Sequence, residues 1–287
     1  MDLALALDSR AELGEGPLWD AARGCLWWVD ILGSAVHAFD PTSGVDRAIP
    51  VGEHVGTVVT RRDGGLLLAL RHGFAACDPL TGQLERWGDP ECGRAELRFN
   101  DGKCDPQGRF WAGSMAYDGT AGAGSLWRLD PDRSLRRVLA DVTISNGVAW
   151  DVRRSIFYHI DSPTRCVSAF AFDPSTGSLS DRRTAITCAP EDGFPDGCAI
   201  DAEGLLWIAH WGGGQVVRWD PHSGRAVQRV RVPVSQPTAV AFAGSRLFIT
   251  SARTGLSPAD LTREPHAGGI FTAETGVTGA PTYAFAG

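Results

Sequence analysis

The chain is nearly without lysine: one residue, Lys103, stands against 26 arginines in 287 positions. With 27 basic and 34 acidic side chains the net charge is −7. The dense Lys/Arg face of a phosphate-backbone binder is therefore missing, and no nucleic-acid partner is expected. No apolar run approaches the ~18 residues of a membrane span, so no membrane partner is expected either. Seven cysteines (Cys25, Cys77, Cys92, Cys104, Cys166, Cys188 and Cys198) are odd in number and scattered, with no Cys-x-x-Cys. That pattern speaks against a disulfide framework and a zinc–thiolate site, and points to a reducing, cytoplasmic setting. Gly-x-Ser-x-Gly and His-Glu-x-x-His are both absent, which leaves a serine triad or a zincin site without support.

What the chain has in quantity is turn residues, 35 Gly and 17 Pro, beside 43% apolar and 21% charged residues, the composition of a folded chain with many turns. Its start, "MDLALALDSRAELG", carries an acid at position 2 and no cationic cluster, so the Leu/Ala alternation reads as a strand rather than a secretory segment. Six segments align with one another. They run from "GCLWWVDILGSAVHAFDPTSGVDRAI" through "GLLWIAHWGGGQVVRWDPHSGRAVQRV" to "SRLFITSARTG" with "AGGIFTAETG". Each reads as a strand, a loop, a second strand ending mostly in Asp-Pro, a Gly-containing turn and a third strand, and one more short apolar run precedes each. Four strands per unit, repeated six times over residues 1–287, predict an all-β fold, one six-bladed β-propeller with four-stranded blades around a central channel. The turns "DPTSG", "DPLTG", "DPSTG" and "DPHSG" fit hairpin connections and carry no chemistry. The strand "LALAL" (3–7) and the last run, "TYAFA" (282–286), are expected to meet in the final blade and close the ring.

In such a ring the innermost strand of every blade begins on one face, and the loop after the second strand returns to it. The innermost starts are Glu15, Val55, Asn100 with Asp101, Asn146, Asp196 and Gln236, and the returning loops bring Asp30, His72, Asp118, Asp161, His210 with Trp211, and Arg253 to the rim. Two carboxylates held close repel unless a cation compensates them. Glu15, Asn146 and Asp196 together suit a hard divalent metal with oxygen ligands. The competing reading is that the Asn-Gly and Asp-Gly pairs are turn dipeptides. Trp27, Trp28, Trp111, Trp127, Trp207 and Trp219 read as packing between blades. His159 and His210 read as structural, Trp211 as a residue able to stack on a sugar, and Lys103 as either a survivor of the arginine bias or a residue with a specific role.

The stretches "LGEGPLW" (13–19), "RFNDGKCDPQGRFWAGSM" (98–115), "ISNGVAW" (144–150), "FYHIDS" (157–162), "PDGCAIDAEGLLWIA" (195–209) and "TSARTGLS" (250–257) with "AGGIF" (267–271) resemble the senescence marker protein/regucalcin and gluconolactonase family, in order and over essentially the whole chain. The resemblance implies a propeller that hydrolyses a sugar (aldono-) lactone with one bound divalent metal ion (Ca, Zn, Mn, Mg or Fe(II)). By position it implies Glu15, Asn146 and Asp196 as metal ligands, with Asp196 also the general base. It implies Arg98 and Asn100 as substrate contacts and places an acidic lid position on Asp118, in the Gly-rich loop "YDGTAGAGS". Two other classes remain open at this point: a calcium-dependent organophosphate or aryl-ester hydrolase on the same scaffold, which needs a more apolar pocket, and a non-catalytic metal-binding propeller.

Overall fold

The computed structural model describes residues 2–287. Six four-stranded antiparallel sheets stand as blades of a β-propeller around a central channel. The innermost strands of the first five blades are Gly14–Asp20, Val55–Thr60, Leu97–Cys104, Ser145–Asp151 and Phe194–Ile200. Each is followed outward by the next three strands of the chain. The sixth blade runs Pro237–Ala243, Arg246–Ser251 and Ile270–Glu274, and its outermost strand is Leu3–Leu7 from the other end of the chain. That pairing covers an edge that would otherwise stand open.

The expectation that residues 282–286 would join this blade is not met. Ile270–Glu274 takes the place beside Leu3–Leu7, and the C-terminal segment crosses the disc on the face where the innermost strands end. There the Ala280 N–H donates to Ile200 O, the Phe285 N–H to Thr60 O and the Ala286 N–H to Gly108 O, tying the segment to blades 5, 2 and 3. The reason is burial: Phe285 is fully enclosed in the core and lies 5.7 Å from the Trp87 ring, so packing overrides the strand propensity of "TYAFA".

The core fills the spaces between blades, where Trp27, Trp28, Trp111 and Trp207 are all fully buried. Buried indoles need an acceptor, and three blades meet the need the same way. An Asp just past or at the end of the innermost strand accepts the indole N–H of the second strand: Trp27 to Asp20 at 3.1 Å, Trp111 to Asp105 at 3.0 Å and Trp207 to Asp201 at 3.0 Å. The Asp-Pro turns are as expected. Asp40 and Asp220 accept the N–H of Thr42 and His222, and Gly44 and Gly224 adopt φ of 75° and 68°, a region that favours glycine. Among the described residues no helix is long and apolar enough to cross a membrane.

One device repeats in all six blades. The pairing of innermost and second strand slips between Glu15 and Leu18, Val55 and Thr57, Phe99 and Gly102, Ser145 and Val148, Pro195 and Cys198, and Pro237 and Val240. A bulge adds a residue to one strand and re-aims a side chain. Six of them at one level form a ring of redirected positions near the start of the innermost strands.

Candidate functional site

The bulges settle what the x-Gly pairs are: they lie inside strands rather than in turns between blades. Gly147 and Gly197 follow Asn146 and Asp196 because adjacent innermost strands converge there. A Cβ on Gly147 would lie 2.8 Å from Asp196 O, and one on Gly197 would lie 2.3 Å from Ala239 Cβ. The glycine lets the blades close, and the residue before it meets the channel mouth.

Glu15, Arg98, Asn100, Asn146 and Asp196 come together there, all buried as residues yet all lining one open cavity of about 620 Å³. A chain of hydrogen bonds fixes their orientation across blades 3, 4 and 5. Arg98 donates to Asn100 Oδ1 at 2.7 Å; Asn100 Nδ2 donates to Ser145 O at 2.9 Å and to Asn146 Oδ1 at 3.2 Å. Asn146 Nδ2 donates to Ser162 Oγ at 2.9 Å, and Ser162 Oγ donates to Pro195 O at 2.6 Å. With its NH₂ group directed to Ser162, Asn146 turns its oxygen toward Asn100. Ser162 thus sets the amide orientation, a role its place in "HIDSP" did not reveal.

Electrostatically the floor is overloaded with acid. Burial, then the neighbouring Asp101 charge, push the Glu15 carboxyl up to about 8. Burial, then Glu15 and Asp101, hold the Asp196 carboxyl well above the ordinary range. Glu15 Oε2 accepts only the Gly16 N–H, at 3.0 Å, and Asp196 Oδ1 is buried without any partner. A buried carboxylate oxygen with no donor is costly, and a cation is the natural occupant of such a cradle. The donor set of two carboxylates and an amide oxygen is hard and suits a divalent ion. Among the described residues no group of three His, Cys, Asp or Glu side chains gathers at metal-binding distance; the third member of this set is an amide.

Below the floor, Lys103 Nζ donates to Cys198 O and lies 3.5 Å from Val148 O. These carbonyls sit two residues beyond Asp196 and Asn146 on their strands, so the lone lysine ties together the two strands that carry them. Its charge also counters the burial that raises the Asp101 carboxyl. The channel continues past Lys103 to a cavity of about 70 Å³ on the opposite face, lined mainly by apolar side chains and including Ala280, Pro281 and Tyr283. No carboxylate faces it, so the chemistry belongs to the mouth.

The other candidates separate clearly. Asp118 is exposed on the loop and does not line the cavity; its carboxylate accepts the Thr120 hydroxyl at 2.7 Å and the Thr120 N–H at 2.9 Å, contacts that hold it below the usual range. Its neighbour Tyr117 lines the cavity instead, with its hydroxyl 2.6 Å from His54 Nδ1. Trp211 also lines the cavity. His210 is enclosed beside Trp219, whose indole N–H points at its Nε2 from 3.3 Å, and burial lowers it to about 4. His159 accepts or donates at Ser145 Oγ, 2.9 Å away, and burial lowers it to about 3. The rim aspartates serve the backbone: Asp30 receives the N–H groups of Glu12, Leu13 and Gly33, and Asp161 those of Thr143 and Ile144. Residues the sequence did not flag supply most of the wall, among them Leu13, Leu32, Met115, Ile144 and Phe194.

Comparison with known proteins gives the family and the same fold. The sequence profile of the SMP-30/Gluconolactonase/LRE-like region matches residues 13–253. A putative sugar lactone lactonase of Bacillus subtilis, YvrE, is 38% identical over 290 residues, covering 100% of this chain and 99% of that protein. Regucalcin of Oryctolagus cuniculus is 38% identical over 291 residues, covering 98% and 97%. A crystal structure of a calcium-binding protein, regucalcin, from Agrobacterium tumefaciens superposes with a TM-score of 0.92 at 29% identity, covering 98% of this chain and 96% of that one.

Proposed function

The chain belongs to the SMP-30/gluconolactonase/LRE-like family, and from that premise we propose that it hydrolyses a sugar (aldono-) lactone to the aldonic acid, using a divalent cation at the channel mouth. The observation that carries the reading is the buried, unpartnered Asp196 Oδ1 beside Glu15 on the floor of an open cavity. The name of the Bacillus relative supports the substrate class.

Glu15, Asn146 and Asp196 would hold the cation, which when bound supplies charge stabilisation at a carbonyl oxygen and a lower pKa for a coordinated water. The remaining work falls to the chain's own groups. Arg98, already braced by Phe99 O at 3.0 Å and by Asn100, presents its remaining N–H groups to the ester and offsets negative charge gathering on the acyl oxygen. Asp196 Oδ1 accepts the proton of the attacking water as the oxygen bonds to the acyl carbon. When the ring C–O bond breaks, that proton passes to the departing alkoxide, so the product is a hydroxy acid and Asp196 is regenerated. Asn100 holds both Arg98 and Asn146 in register, and the walls limit bulk water around the reacting ester.

The test is a proton-release assay on a panel of aldonolactones, with protein stripped of metal and then reloaded. Stripping should abolish hydrolysis and reloading restore it. Asp196→Asn should lower kcat by about 10² or more, whereas Arg98→Ala should lower kcat/KM with cation affinity nearly intact, since guanidinium is no ligand. Undiminished hydrolysis after stripping, or loss of cation binding in Arg98→Ala together with full activity in Asp196→Asn, would refute it.

A further inference from the structure

We propose that Lys103 is a positioning residue that acts on the bound cation through charge: its ammonium, fixed beneath the floor, keeps the loaded site electropositive, which loosens the cation and favours negative charge on the acyl oxygen. The inference rests on the reading that the floor holds a divalent cation and cleaves lactones. It follows from what Lys103 touches and from what does the equivalent task elsewhere in the ring.

Lys103 lies on the innermost strand of blade 3 and reaches across the channel to Cys198 O and Val148 O. Holding innermost strands together does not call for a charge. Thr57 Oγ1 donates to Gly102 O at 3.0 Å between blades 2 and 3, and Thr238 Oγ1 donates to Gly14 O at 2.6 Å between blades 6 and 1. A neutral hydroxyl is donor enough for such a clip. Beside 26 arginines the chain keeps an ammonium at this one place, where the cavity shared with Asp101 and Gly102 is only about 10 Å³. That space holds no more than one water, so no hydrated ion can stand in for the ammonium. Asp101 completes the arrangement: its Oδ1 accepts the Gly102 N–H at 2.6 Å, while its Oδ2 is buried with no partner. After burial, the Lys103 charge is the main influence on this carboxyl.

With a cation bound and its ligands ionised, the carboxylates of Glu15, Asp101 and Asp196 face the positive charges of Arg98 and Lys103. These groups alone leave one unit of negative charge, which a divalent ion turns into one unit of positive charge. Without Lys103 the loaded floor would be neutral. The ammonium does act on a ligand: at Glu15, where burial and Asp101 raise the carboxyl, Arg98 and Lys103 both oppose them. All three carboxylates are buried, so salt screens little of the effect. A like charge below the cation lowers its affinity. The same charge stabilises the acyl oxygen as water adds to the acyl carbon, and because it is fixed in advance no rearrangement is needed.

The test measures Ca²⁺ and Mn²⁺ affinity by calorimetry and aldonolactone hydrolysis by proton release, both at pH 8, on the unaltered full chain, Lys103→Met and Lys103→Gln. Met removes the charge and the donors; Gln removes the charge and keeps N–H groups for the carbonyls. In both variants the cation association constant should rise about ten-fold or more. The kcat of the saturated protein should fall about ten-fold or more, with KM changed less than about three-fold. A clip without an electrostatic part gives the opposite pattern, weaker cation binding in Lys103→Met and recovery in Lys103→Gln. That pattern, an unaltered affinity in both variants, or tighter binding with unaltered kcat would overturn the inference. Either variant decides the matter should the other fold poorly. Cation binding without hydrolysis by the unaltered protein would overturn the proposed function instead, the affinities still deciding the role of Lys103, and no binding of either ion would overturn both.

Discussion

If Glu15 and Asp196 are the cradle of a divalent cation, loading the metal-free protein must expel protons. The Glu15 carboxyl, raised to about 8 by burial and Asp101, holds its proton in roughly nine-tenths of molecules at pH 7. Asp196 is raised well above its ordinary range by burial and by Glu15 itself, which favours its protonated form as well. A cation needs both carboxylates ionised, and therefore binds in competition with those protons. Calorimetric titration with Ca²⁺ or Mn²⁺ at pH 7, in two buffers of different ionisation enthalpy, should report release of at least about one proton per ion. The number should fall as the pH is raised past 8, and the association constant should rise up to about ten-fold per pH unit for each proton displaced. Glu15→Gln should remove about one proton from the count and weaken binding. Strong binding at pH 7 with almost no proton release would refute the reasoning, because it would mean that the cation sits elsewhere.

The same shift fixes the sign of the metal-free protein's pH dependence. A carboxyl raised above its unfolded value contributes its full stability below about 4.5 and loses it as pH rises through about 8. Melting temperature without metal should thus decline from pH 5 to 8.5, by up to about 5 kcal/mol of stability, and added cation should restore it; a level profile would contradict the burial of Glu15. Lys103→Met should lower the melting temperature more at pH 8 than at pH 5, because at low pH Asp101 can take up a proton once its counter-charge is gone; equal losses at both values would show that the ammonium is not balancing Asp101. Deleting residues 280–287 should destabilise the ring by exposing the buried Phe285 pocket, about 3–5 kcal/mol on the scale of Phe→Ala, and Phe285→Ala should reproduce most of that loss in chemical denaturation; no change in either would mean the segment only rests on the surface.

The ring was readable in the sequence because each blade repeats the same order of strand, turn and Asp-Pro, and because innermost starts must converge in any such ring. Glu15, Asn100, Asn146 and Asp196 meet for that reason, whereas Arg98 was indicated only by the family resemblance. What could not be read was the conformation that aims them: an Asn-Gly in a bulge and an Asn-Gly in a turn are the same letters, and only the approach of the neighbouring blade distinguishes them. Likewise the sequence could place Asp30 and Asp161 at the rim, but not show that their oxygens are taken by backbone N–H groups. Asp118 and Tyr117 are adjacent, so the geometry of one loop decides which of them faces the cavity. The apolar wall carried no signal, since a Leu at a loop tip is indistinguishable in sequence from a Leu in the core.

The pairing of Leu3–Leu7 with Ile270–Glu274 has a consequence in time. During synthesis the first strand to emerge is the last to find its partner. At roughly 5–20 residues per second, its intended neighbour follows only after roughly 15–50 s. Through that interval "LALAL" is an unpaired strand attached to a growing stack of blades, and the stack itself has two open flanks. The ring cannot close before the third strand of the sixth blade is made, so nascent chains that stall ahead of it carry five finished blades and an exposed ribbon, the form most in need of a chaperone.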